Sequence, residues 1–413
     1  MKALLAERNA RRYLAGQAFS LYGDVALWLA MGIWVKELTG SSGEAGLTFF
    51  FFGLASLMSP LAGLVVDRVR RRPLLLVANL TGAVVVLGLL FVHGKGQVWL
   101  IWLVTFVYGL VYTFLSSGQS ALLATMLPSE MLVDANGFLQ TVREGLRLVG
   151  PLTGAGLFAV FGGGTVAVLD SATFLIAAVT LMFVHVTETK PVPVEQHWLA
   201  EVTAGARHVW RTTVLRQMLI ATAVACLVFG FFESIGFAVV TTGLRRPATF
   251  LGVVIAVQGV GALAGGISSS KVIRRFGAGP VAGAGLVLVA LASLLFATRS
   301  LALVFAAAVV FGVCLPWILV GLMTLLQTST PNELQGRVSS AADTLLSLPQ
   351  TLSIAVGAIL VGMVDYRYLL VVIAVVVTGA AAYLLSRPEQ WQVARARAAV
   401  DASCSRVPLD SSA

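Results

Sequence analysis

Charge is scarce in this chain. Of its 413 residues only 11% are Asp, Glu, Lys or Arg, where a soluble domain carries roughly 25%. The apolar set makes up 58%, and mean hydropathy is +0.91. So few charges do not cover that much apolar surface in water. An ordinary soluble enzyme and a disordered chain are both excluded. Cysteine is scarcer still: Cys226, Cys314 and Cys404 are odd in number and far apart, and two of them lie in apolar runs. No disulfide framework is expected. The four histidines are scattered, so no metal site is expected either. Gly162-Gly163-Gly164 is not followed by the Gly-Lys-Ser/Thr of a Walker loop, so neither ATP nor another cofactor is expected.

Long apolar runs are what the chain has in abundance. A transmembrane helix needs about 20 mostly apolar residues. Twelve such runs are present, near 12–36, 46–66, 73–93, 98–126, 134–161, 165–186, 214–241, 248–269, 278–298, 301–328, 338–364 and 366–386. The first is too long for a signal-peptide core and lacks a clear cleavage site, so it is read as a retained helix. The reading is an all-α integral membrane protein with twelve transmembrane helices. A six-helix bundle spans 1–186, a polar linker 187–213, a second six-helix bundle 214–386 and a polar tail 387–413. An even number of spans puts both termini on one side. That side holds 20 of the Lys and Arg residues against 6 on the other, which places both termini in the cytoplasm. The formal charge of +9 is therefore a topology signal, and no nucleic-acid partner is expected.

The halves repeat at one ungapped offset of 203 positions. Thr39-Gly40 maps onto Thr242-Gly243, Gly63 onto Gly266, Arg68 onto Lys271, and Arg71-Arg72 onto Arg274-Arg275. Gly109, Gly118 and Gly154 map onto Gly312, Gly321 and Gly357. Six helices are an even number, so the copies share one orientation. That is the parallel-repeat arrangement, with a site at the midplane and alternating access by rocking.

Gly63-Leu-Val-Val-Asp67-Arg68-Val-Arg70-Arg71-Arg72-Pro73 follows the second run, and it resembles the cytoplasmic signature loop of the major facilitator superfamily. Arg70 stands where many members have a second Gly. Leu127-Pro128-Ser-Glu130-Met-Leu-Val-Asp134-Ala135-Asn136 is similar to the branch of macrolide and siderophore exporters. Gly150-Pro151-Leu-Thr-Gly154-Ala155 is similar to the fifth-helix motif of proton-coupled exporters. The resemblance covers the chain apart from its tail. It implies a fold of two six-helix bundles and a gating role for Gly63, Asp67, Arg68, Arg71 and Arg72, with Asp67 contacting the start of the eleventh helix. A helix N-terminus attracts a carboxylate. The second copy, Gly266, Lys271, Arg274 and Arg275, has Ser270 in place of the acid and is expected to gate more weakly.

Candidate site residues come from polar groups inside the runs. Tyr13, Gln17, Ser20 and Asp24 share one face of the first helix. Asp24 lies twelve residues from Arg12, about 18 Å along the axis, so near mid-membrane. An intramembrane carboxylate there costs about 2.5–3.5 kcal/mol on insertion scales. It either handles protons or substrate, or makes a structural hydrogen bond. Glu233 sits among Phe229, Phe231, Phe232 and Phe237. Desolvation there disfavours the charged form, which suits a proton carrier; the other reading is a hydrated carboxylate near the outer mouth. Arg143, Glu144 and Arg147 fall in the fifth run, where arginines face a cavity or pair with Glu144 or Asp24 in a structural network. Tyr108, Tyr112 and Trp317 either stack on substrate or pack. Gly150, Pro151 and Gly154 are read as a close-contact motif. Asp170, Asp343 and Asp365 are placed near helix ends, in water.

These readings combine into a secondary active transporter of the cell membrane, expected to be a monomer in the bilayer and not an enzyme. It exports a small amphipathic or apolar compound, such as a drug, antibiotic or siderophore, against entering protons. The alternative is a lysophospholipid-flippase type of transporter. A membrane-embedded enzyme or a non-transporting sensor fits less well: no nucleophile constellation is present, and the tail is short for an output domain.

Overall fold

A computed structural model describes residues 4, 6–66, 68–186, 206–331 and 334–391. Among them, helix is the only extended regular structure. In a bilayer that is forced, because a helix satisfies its own backbone polar groups where no water does so. The helices are α1 (Arg8–Thr39), α2 (Ser42–Ser56), α3 (Ser59–Val66), α4 (Arg71–Leu87), α5 (Val98–Met126), α6 (Ser129–Phe161) and α7 (Gly163–Met182). After 187–205, outside the described residues, come α8 (Thr213–Phe229), α9 (Phe231–Ala238), α10 (Leu251–Phe276), α11 (Ala278–Phe296), α12 (Leu301–Thr328), α13 (Gln335–Met363) and α14 (Tyr366–Leu385).

Among the described residues, ten helices are long and apolar enough to cross a membrane. Two of the twelve runs fall short, each for a visible reason. The second is interrupted between Ser56 and Ser59 and forms α2 and α3. The fifth forms α6, 33 residues long, but Arg143, Glu144 and Arg147 sit in its middle. The seventh run also departs from one straight helix. It breaks at Gly230 between α8 and α9 and ends in a π-turn over Val239–Gly243.

Local chemistry sets the helix ends. Glu7 caps α1, its carboxylate accepting from the Asn9 N–H at 3.2 Å. Gly40 ends α1 with φ of +73°, and its N–H reaches the Lys36 carbonyl; glycine adopts that left-handed turn without a Cβ penalty. Ser41 then caps α2, Oγ accepting from the Glu44 N–H at 3.2 Å. Basic side chains gather at the C-terminal end of α7. Arg72 donates to the carbonyls of Leu181 (3.2 Å) and Met182 (2.8 Å), and Arg12 to that of Phe183 (2.9 Å). Cations there satisfy orphan carbonyls and the negative end of the helix dipole.

By packing, the described residues fall into two compact units. One draws on 1–195, 230–259 and 351–369, the other on 196–229, 260–350 and 370–413. Within the first, α1 packs on α6 and α7, α4 on α5 and α7, and α2 on α5 and α9. Within the second, α11 packs on α12. The large apolar side chains left uncovered, such as Val84 (71% exposed) and Ile267 (83%), have the inverted arrangement that lipid requires. The sequence repeat has a packing counterpart. Gly118 lies against Leu75, and 203 positions on Gly321 lies against Ala278.

Helix α1 is held closely on two sides. A methyl group at Gly23 would collide with Asp170 and Thr173 of α7, and one at Gly16 with Thr180. From α6, a methyl at Gly154 would sit 2.8 Å from the Ala26 Cα, and one at Gly150 would sit 2.9 Å from the Val25 Cβ. Gly156, two residues along α6, faces open space. Gly154→Val is therefore expected to destabilise the protein by about 1–3 kcal/mol through overpacking, and Gly156→Val by much less. Thermal unfolding of both variants in one detergent checks this; equal losses would contradict it.

Candidate functional site

Polar groups meet around the middle of α1. Tyr108 of α5 is almost fully buried, and its Oη donates to Asp24 Oδ1 at 2.6 Å. Packing fixes the Tyr108 ring. It meets Phe174 of α7 edge-on, with ring centres 6.0 Å apart, and Phe52 of α2 at the same distance. Arg143 of α6 is half-buried and acts electrostatically on Asp24, Tyr13 and Tyr112. Tyr112 stands one turn from Tyr108 on α5 and packs on Phe52 at 5.6 Å. Asp24 itself is half-buried. The arrangement is a carboxylate with a hydrogen-bond donor on one side and a guanidinium near enough to act on it electrostatically.

The rest of the polar face of α1 runs toward its N-terminus. Ser20 is buried, with no hydrogen-bond partner for its Oγ. Tyr13 is buried, with its Oη likewise unpartnered. Tyr13 and Gln17 line a cavity of about 10 Å³ with Asn79 and Leu181, about the space that one water needs.

Other candidates lie elsewhere. Glu144 accepts from Gln140 at 2.7 Å and pairs with Arg147 at 3.5 Å, both on its own helix. Its bonds are thus local to α6, and the Arg147 side chain is 62% exposed, so this pair contributes little stability. Glu233 of α9 is half-buried, and among the described residues no side chain hydrogen-bonds to it. Its aromatic neighbours divide. Phe237 is fully buried against Phe49 of α2 (ring centres 6.2 Å apart), and Phe231 packs on Gly357 of α13; Phe232 stays half-buried. Trp317 donates from Nε1 to Ser268 Oγ at 2.9 Å, within the second unit. Asp67 lies outside the described residues, and Gly63 falls within α3. Arg68 is exposed, and Arg72 is committed to the end of α7. Gly266 is exposed within α10, and Lys271, Arg274 and Arg275 are exposed toward its C-terminal end. Pro151 is buried within α6.

One placement corrects the sequence reading. Asp170 was expected near a helix end, in water; it is fully buried in α7. It is the eighth residue of that helix, about 10 Å from its start. Oδ1 accepts from Thr173 Oγ1 at 3.3 Å, and Oδ2 has no partner among the described residues. Thr173 at i+3 and Gly23 on α1 were signals in the sequence, but only the register of α1 against α7 joins them. Asp343 and Asp365 are exposed.

The sequence pattern of the Major Facilitator Superfamily matches residues 13–245 and 237–406. The chain belongs to that superfamily. Members are transporters, not enzymes, and this chain is a multi-pass membrane protein of that kind. It is similar to macrolide efflux protein A of Streptococcus pyogenes, 26% identical over 175 residues, which is 42% of this chain and 43% of that one. It is also similar to the multi-drug resistance efflux pump PmrA of Streptococcus pneumoniae, 31% identical over 180 residues, 40% of this chain and 43% of that one. Each alignment thus spans under half of the relative's length. Among solved structures, the nucleoside transporter NupG matches with a TM-score of 0.75 at 11% identity, over 92% of this chain and 100% of the other. At that identity the likeness is one of fold.

Tyr108→Phe keeps the ring and removes the donor to Asp24. A hydrogen bond to a charged group is worth about 1.5–3 kcal/mol, so the carboxyl loses support for its ionised form. Labelling of Asp24 by a hydrophobic carbodiimide, read by peptide mass spectrometry, is expected to rise several-fold. Unchanged labelling in a folded variant would remove this bond from the site.

Proposed function

We propose that this chain is a proton-coupled exporter of a small amphipathic or apolar compound. It has twelve spans in two parallel six-helix repeats, residues 1–186 and 214–386, with both termini in the cytoplasm and a multi-pass place in the cell membrane. The observation that carries the reading is Asp24: a carboxyl on the middle of a membrane helix, bonded to buried Tyr108 and under the electrostatic influence of Arg143. A group this costly in a bilayer is retained for what it does. One proton moving through 100 mV supplies about 2.3 kcal/mol, enough to drive a modest gradient per cycle. The direction of transport rests on the similarity to efflux proteins. In this reading the loops 63–72 and 266–275 gate the cytoplasmic side, with Asp67 holding one access state.

The test is Asp24→Asn in proteoliposomes under an imposed pH gradient. Uphill transport of ethidium and of a macrolide is expected to fall at least tenfold, with thermal stability close to wild type. Full pH-driven transport by this variant would overturn the coupling role.

Glu233 is assigned to substrate choice. It is an acid without a bonding partner among the described residues, beside half-buried Phe232, and it suits a lipophilic cation. Glu233→Gln removes the charge and keeps the apolar walls. Transport of ethidium is expected to drop about tenfold or more, equivalent to 1.4 kcal/mol, while a neutral compound changes only a few-fold. Equal loss of uphill transport for both classes would instead make Glu233 a proton carrier.

A further inference from the structure

We propose that Asp170 is a second proton-holding carboxyl, joined to Asp24 around the Tyr108 hydroxyl in one cluster that gains and loses its protons in two steps. This rests on the reading that Asp24 handles the coupled proton. The argument begins with solvation. Asp170 is 0% exposed, and its Oδ2 has no hydrogen-bond partner. Its Oδ1 has only the Thr173 hydroxyl at 3.3 Å, and that hydroxyl lies closer, at 2.7 Å, to the Asp170 carbonyl. An ionised carboxylate in that setting leaves a charge uncompensated, at a cost of several kcal/mol. A proton on Oδ2 removes the charge.

The groups around Asp170 make the same point. From α1 it meets the backbone of Gly23 and the field of Asp24, an acid. From α5 it interacts with Tyr108, a neutral hydroxyl already donating to Asp24. From α4, Asn79 stands beside Ala177 and Leu181, about two turns along α7 from Asp170, and its amide is committed to the Leu75 carbonyl. On α7 itself Ser171 donates to the Ala83 carbonyl. Arg143 of α6 acts on Asp24, and among the described residues no cation acts on Asp170. Two acids on neighbouring helices, with one cation on one side only, do not ionise together readily. Protons then leave the pair in two macroscopic steps that belong to the pair and not to either residue. Asp24 is the partly exposed member, and Asp170 is the sealed one. A proton taken up at Asp24 from one side of the membrane relieves the repulsion on Asp170. Its release to the other side restores the starting count, with no other bond made or broken.

Infrared spectroscopy of the full-length protein in lipid nanodiscs reads this without any substrate. The protonated-carboxyl C=O band is followed through a pH titration for wild type, Asp24→Asn, Asp170→Asn and the double variant. Relative to the double variant, wild type is expected to show two steps separated by about one pH unit or more, and each single variant one. A wild-type titration identical to that of Asp170→Asn overturns the proposal. Should Asp170→Asn not fold, Thr173→Val serves: it keeps the carboxyl and removes its donor. A shift of one step only supports the proposal, and an unshifted titration overturns it. Failure of Asp24 as the coupling residue is seen elsewhere, as retained pH-driven transport in Asp24→Asn. It leaves the titration itself unaffected.

Discussion

The close seat of α1 between α6 and α7 is the constraint on which the rest of the first unit depends. Glycine is required on both sides of that seat: Gly16 and Gly23 on α1 itself, and Gly150 and Gly154 on α6. Without side chains at these points the backbones approach, and dispersion between helices replaces the hydrophobic force that lipid does not supply. The same approach has a chemical effect. It brings the mid-helix acid of α1 beside the mid-helix acid of α7, and it leaves Tyr108 as the only hydroxyl bonded to Asp24 among the described residues. Packing and electrostatics are therefore one problem here. Any residue larger than glycine at position 23 would separate the helices and the two carboxyls together.

Much of this was legible in the sequence, and what was not has physical reasons. Helix content and the approximate spans followed from run lengths, because a bilayer admits few alternatives. Asp24 was found because it lies on a polar face that an α-helix makes countable. Its partner Tyr108 was named for its ring, but the bond between them depends on where α5 stands, which periodicity does not show. Asp170 was misplaced because its neighbours along α7 are apolar or small, so nothing local marks it. Its importance comes from helix register alone. Arg72 was read as a gate from its motif, and in the fold it also closes the C-terminal carbonyls of α7. The interruptions at Gly230 and between α2 and α3 are equally invisible to a hydropathy count, since both lie within continuous apolar sequence.

The two repeats share packing but not chemistry. At the offset of 203, Asp24, Tyr108, Arg143 and Asp170 correspond to Leu227, Phe311, Leu346 and Ile373. Every polar member of the cluster is apolar in the second copy, while glycine contacts such as Gly118 on Leu75 and Gly321 on Ala278 recur. The scaffold repeats, and the ionisable groups of this cluster stand in one half alone. Glu233, whose counterpart is Ala30, is the converse case. In the proposed reading, proton handling and substrate choice therefore fall to different halves.

The first unit is not built from the first repeat alone. Ser234 of α9 covers Gly46, the Ala358 carbonyl covers Gly43, and Thr351 covers Gly53. These contacts come from residues synthesised long after α2 has emerged from the ribosome. The faces of α2 that carry these glycines must therefore wait, uncovered by protein, until the chain has been made past residue 358. Until then, that surface of the first half is left to lipid.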